Sequence, residues 1–133
     1  MLYQSDRSFR IWAYSVSHGS LILRSEMKFP DDEEPLDTDY NIDFEIWGVT
    51  YINIPEKMNG ITITVISPEM LPDGFDPRLF RYREKIFEIQ SENRKYMIIA
   101  AGLLIGTNQW ASDEDRIFKY HLNLQHDQVL LTA

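Results

Sequence analysis

Asn41-Ile42-Asp43-Phe44-Glu45-Ile46 alternates polar and apolar side chains without a break. Successive side chains of an extended chain point to opposite faces, so the spacing predicts a β-strand with Ile42, Phe44 and Ile46 buried and the polar residues wet. Gly48 reads as a turn and residues 49–54 as a second strand. Residues 55–60 end in Asn59-Gly60, a tight-turn signal, and Ile61-Thr62-Ile63-Thr64-Val65-Ile66 follows as a third strand. The three together predict a meander.

The same reading extends outward in both directions. Residues 8–17 are rich in β-branched and aromatic side chains and meet His18-Gly19-Ser20 before Leu21-Ile22-Leu23, the pattern of a hairpin. Downstream, Pro68, Pro72, Pro77 and Asp73-Gly74 forbid a long regular element. Asp76-Pro77 can cap a helical turn over 77–82, after which Phe87 and Ile89 alternate as a strand. Residues 96–106 are apolar on both faces and predict a central strand, with Gly102 at a bulge or close approach. In residues 112–124 a helix start at Ser112-Asp113-Glu114-Asp115 competes with the alternation of Phe118, Tyr120, Leu122 and Leu124, which favours a strand. The expected fold is a mainly β single domain over residues 1–133, an antiparallel sandwich or small barrel of about eight strands with one or two short helical pieces.

The 133-residue chain carries 13 Lys and Arg against 21 Asp and Glu, a net charge of −8. Residues 26–45 hold nine of those acids and one base, Lys28, so this stretch carries the whole net charge and the rest of the chain is balanced. Pro30, Pro35 and the acids predict a loop over 26–40. Such a distribution argues against a nucleic-acid surface, which needs clustered Lys and Arg. With no cysteine there can be no disulfide, thiolate nucleophile or Cys-based metal site. The first ten residues lack the apolar stretch of a secretory signal, and the longest apolar run, 96–106, is well short of the ~20 residues of a membrane-spanning helix. A soluble, cytoplasmic protein without a cofactor is the expectation.

Three constellations could carry function. The first is an acidic stripe: Asp37, Asp39, Asn41, Asp43 and Glu45 fall on one face of an early-starting strand, about 26 Å long at ~3.3 Å per residue. Like charges in a row repel, and a basic protein partner would relieve that repulsion. The stripe begins like a calcium loop, but Ile42 stands where the loop needs Gly and Gly48 where it needs Glu, so no metal site is assigned. Alternatively, the cluster Arg78, Arg81, Arg83 and Lys85 could meet the acidic segment of the same chain or of a second copy, giving a homodimer.

The second constellation is aromatic. Trp12, Trp47 and Trp110 lie in or beside predicted strands and could line a small-molecule cavity in a barrel. The third is a hydrolase-type site at His18, among Ser15, Ser17 and Ser20, or at His121. Nucleophilic catalysis there would need a carboxylate in space, and no Gly-x-Ser-x-Gly elbow is present. The leading expectation is a non-enzymatic interaction module whose acidic stripe binds a basic partner; the alternatives are a ligand-binding barrel and an enzyme using His18 or His121.

Overall fold

In the computed structural model, residues 1–26, 40–71, 73–74, 84–109 and 127–133 are described, with the backbone alone at His18. They form nine antiparallel strands: β1 Tyr3–Ser15, β2 Ser20–Ser25, β3 Asn41–Trp47, β4 Tyr51–Asn53, β5 Lys57–Ile66, β6 Lys85–Ser91, β7 Arg94–Ala100, β8 Gly102–Asn108 and β9 Gln128–Thr132. Short 3-10 turns occupy Val16–His18 and Pro68–Met70. The mainly β expectation holds, with nine strands rather than eight. The helical turn expected at 77–82 and the contested stretch 112–124 lie outside the described residues.

The neighbour order is β4-β7-β6-β5-β1-β2-β3-β8-β9. Two features bend this sheet back on itself. β1 serves two partners, pairing with β5 from Tyr3 to Arg10 and with β2 from Arg10 to Ser15. β3 pairs with β8 from Asn41↔Asn108 to Trp47↔Gly102, and β4 pairs with β7 from Tyr51↔Ile99 to Asn53↔Met97. Because β4 continues β3 and β8 continues β7, these two ladders are halves of one long run. Ala101 N–H donates to the Trp47 carbonyl at 3.0 Å and Thr50 N–H to the Ile99 carbonyl at 2.9 Å, carrying the pairing across the junction. The pairing therefore returns through β6 and β5 to β1, and the sheet is barrel-like, with β9 added on the far side of β8.

That topology corrects the expected meander. Gly48, at φ +62°, does not reverse the chain; it bends one strand direction into the next, so β3 and β4 are consecutive but not paired. Nor is Asn59-Gly60 a hairpin turn. Both lie inside β5, where Gly60 at φ +73° faces an irregularity in β1 between Ser5 and Ser8. The true two-residue hairpin is Glu92-Asn93, both left-handed at φ 51° and 65°, joining β6 to β7.

The inward face is one apolar cluster drawn from every part of the ring: Phe9, Leu23, Phe44, Ile63, Phe87, Ile98 and Ile105, among others, are almost wholly buried. Three rings meet inside it, Phe44 lying 4.8 Å from Phe9 and 5.5 Å edge-on from Tyr3 between centroids. A smaller cluster of Ile66, Ile86, Met97 and Ile99 lies on the opposite face, where Ile66↔Ile86 and Ile86↔Ile99 are successive pairs across β5, β6 and β7.

The long apolar run of residues 96–106 is broken at Ala101 into β7 and β8. Its glycine has the close approach its position suggested: a methyl group at Gly102 would land inside the indole of Trp47, its partner across the ladder. Gly102→Ala is therefore expected to cost about 1–3 kcal/mol through overpacking, read as a lower urea midpoint. The added change Trp47→Leu should recover part of that loss. A fully neutral Gly102→Ala would show that the indole can leave its seat freely.

Candidate functional site

The acidic stripe is placed on the face its alternation indicated, but that face is buried. Asn41, Asp43 and Glu45 are 2%, 0% and 2% exposed, so the expectation of a wet acidic surface fails for the three described members. Asp37 and Asp39 lie outside the described residues. The alternation in β3 separates two buried environments, one apolar and one polar, rather than inside from outside.

Register explains how a carboxylate survives there. Arg24 of β2 is the direct cross-strand partner of Asp43. Its Nε donates to Asp43 Oδ1 at 2.7 Å and its Nη2 to Oδ2 at 2.8 Å, a two-pronged ion pair with both side chains out of solvent. Asn108 of β8 donates its amide to the same Oδ2 at 2.8 Å, and Asn41 donates to Asn108 Oδ1 at 2.9 Å. The guanidinium is also held 4.8 Å from the ring centroid of Trp12. Charge and hydrogen-bonding capacity are thus matched within the array. With both oxygens already accepting, Asp43 offers no ready oxygen pair for a cation or for a partner's lysine.

Sequence reasoning missed Arg24, Arg7 and Asn108. A signal existed for Arg24, a lone charge ending the apolar Leu21-Ile22-Leu23; its meaning depends on knowing that it lies opposite Asp43. Arg7 is the more consequential omission. Its Nη2 donates to the carbonyls of Ser25 at 3.1 Å, Glu26 at 3.2 Å and Tyr40 at 2.8 Å, and its Nε to Ser25 Oγ at 2.9 Å. Arg7 also stands 5.1 Å from the Tyr40 ring centroid. Residues 25–26 are where the chain leaves for the acidic segment and Tyr40 is where it returns, so one guanidinium ties the two ends together. Next to it, Arg10 pairs with Glu26 at 3.0 Å across an exposed contact. At the same end of the barrel, burial pushes the Tyr3 phenol above its ordinary range.

Among the described residues, the other candidates do not converge. Trp12 lies between Arg10 and Arg24, at 5.1 and 4.8 Å, and Trp47 lies against Gly102. Neither belongs to the cluster that fills the interior, so the expectation that they line an internal cavity is corrected: Trp12 sits at the register shift of β1 between Ile11 and Ala13, beside the outward-facing Arg24, and Trp47 covers its cross-strand partner Gly102 on the face opposite Ile46. Trp110 and His121 lie outside the described residues. So do Arg78, Arg81 and Arg83 of the basic cluster. The backbone of His18 closes the 3-10 turn before Gly19 at φ +57°, and Ser15 Oγ lies 3.4 Å from Ser17 Oγ. Among the described residues, no helix is long and apolar enough to cross a membrane. No family model, curated protein or solved structure matches the chain.

Proposed function

We propose that the chain is a non-enzymatic interaction module that engages a basic protein surface through the acidic segment between Glu26 and Tyr40. The observation that carries this reading is the Arg7 clamp, which fixes the two ends of that segment to β1. The segment's interior holds six acids, Asp31, Asp32, Glu33, Glu34, Asp37 and Asp39, and its one base is Lys28. Asp43 leaves the contact set because it is committed to Arg24, and Glu45 leaves it because it is buried. What remains is a dense negative charge of −5 that holds most of the net charge of the chain, the arrangement that steers a cationic partner into encounter and sets a strong salt dependence.

The test is affinity capture and association kinetics with a protein in which Asp31, Asp32, Glu34 and Asp37 are all changed to Lys. Partners of the wild type should be lost from this variant and released from the wild type as salt rises through about 0.15 M, where the Debye length falls to ~8 Å. Recovery of the same partners by both proteins, independent of salt, would overturn the reading.

A further inference from the structure

The outer face of β1, β5 and β6 carries a shallow groove of about 320 Å³ lined mainly by polar residues, with Gly60 and Ile61 the exceptions. Its floor follows from register. Tyr3, Ile63 and Ile89 face the core, so the next residues in each strand, Gln4, Thr62 and Gln90, face outward and pair directly across the sheet as Gln4↔Thr62 and Thr62↔Gln90. One step along β5, Gly60 supplies no side chain, and a Cβ there would meet nothing closer than the Ser5 carbonyl oxygen at 3.8 Å. That gap lies between Asp6, in the irregular part of β1, and Glu92, in the β6–β7 turn. The wall is braced: Asn59 Nδ2 donates to Glu92 Oε1 at 3.0 Å, and Ser8 Oγ donates to Asn59 Oδ1 at 2.7 Å.

We infer that this groove binds a neutral polyhydroxylated ligand, a saccharide. The inference goes beyond the acidic-segment reading and does not depend on it. A sugar hydroxyl donates and accepts at once, so its best complement is a surface whose groups do both. Of the eleven lining residues, four carry amides and three carry hydroxyls; Asn59, Ser5 and Ser91 are engaged within the protein, which leaves Gln4, Gln90, Asn93 and Thr62 to do both, while Asp6 and Glu92 add acceptors. No lining residue is basic, so a phosphate or carboxylate ligand would meet two negative charges and no counter-charge. A cation would use the acceptors but would leave the amide N–H groups of Gln4, Gln90 and Asn93 without a ligand partner. Among the described residues, those three side chains and that of Thr62 enter no hydrogen bond, so they are available to a ligand. The groove is open to solvent rather than enclosed, which suits an extended polar chain of sugar rings better than a buried apolar molecule.

The full chain is screened on an oligosaccharide array, and retained sugars are titrated into ¹⁵N-labelled protein. The expected result is a retained oligosaccharide that shifts the amides of Gln4, Gly60, Thr62, Gln90 and Asn93. Gln4→Ala combined with Gln90→Ala should bind about tenfold more weakly, as expected for the loss of one or two hydrogen bonds, with an unchanged unfolding midpoint because both side chains face solvent. Thr62→Val, close in shape to the native residue, supplies an independent weakening variant. The Lys variants of the acidic segment should bind the sugar as the wild type does. No retained sugar, shifts outside the groove, or equal affinity in the groove variants would overturn the inference. So would the same shifts produced by argininamide and abolished by Asp6→Asn.

Discussion

Asp43→Ala is expected to lower the unfolding free energy by about 3–5 kcal/mol, the range for removing one partner of a buried ion pair. The change does more than delete a carboxylate. It leaves the Arg24 guanidinium, 3% exposed, without its counter-charge and without acceptors for Nε and Nη2, and it removes the acceptor for the Asn108 amide. A buried charge without a partner is worse than no charge, so the cost belongs mainly to what remains behind. The double change Arg24→Met with Asp43→Leu should therefore cost less than Asp43→Ala alone, despite altering two buried positions. Urea unfolding of the wild type, both single variants and the double variant at one temperature closes the cycle. A single-variant cost below about 1 kcal/mol would mean that water reaches the guanidinium when the carboxylate is gone.

How much of this could be read from the sequence depends on which residues one asks about. The alternation through Ile42, Phe44 and Ile46 identified β3 and its core face correctly, because side-chain direction in a strand is a local property. The environment of the other face is not local. Whether Asp43 meets water or Arg24 depends on β2 lying antiparallel beside β3 in one particular register, a fact no window around residue 43 contains. The same limit explains Gly48. A turn there was legible, but whether such a residue reverses the chain or bends it depends on Ala101 and Ile99 across the junction. Glu92-Asn93 escaped as a turn because Glu is an unusual occupant of a left-handed position. Gly102 was legible as a close approach, though the approaching ring, Trp47, was not. For the acidic segment, charge was readable at once. The clamp that holds its ends, made by Arg7 to three carbonyls, could not be read, since carbonyl oxygens leave no mark on a sequence.

Phe44→Ala should be comparably damaging, about 3–5 kcal/mol, but by a different physical route. Phe44 is fully buried at the meeting point of the rings of Phe9 and Tyr3, with β2 on one side of its strand and β8 on the other. Truncation removes the ring's own burial and leaves a hole bounded by strands hydrogen-bonded on both sides, which restricts how far the wall can collapse. Against a total stability typically near 5–15 kcal/mol for a domain, either substitution takes a large share. Denaturant unfolding in the cold is therefore a safer measurement than thermal melting. Two features separate this loss from that of Asp43→Ala. Phe44→Leu should restore a substantial part of the stability, because apolar volume is what the site lacks, whereas Asp43→Leu, with Arg24 unchanged, should restore none. Val65→Ala in β5, where the side chain is 44% exposed, should cost little and calibrates the strand substitution itself. If Phe44→Ala proved no worse than Val65→Ala, the apolar cluster could not be the element that holds the barrel together, and the polar array on the opposite face would have to take that role.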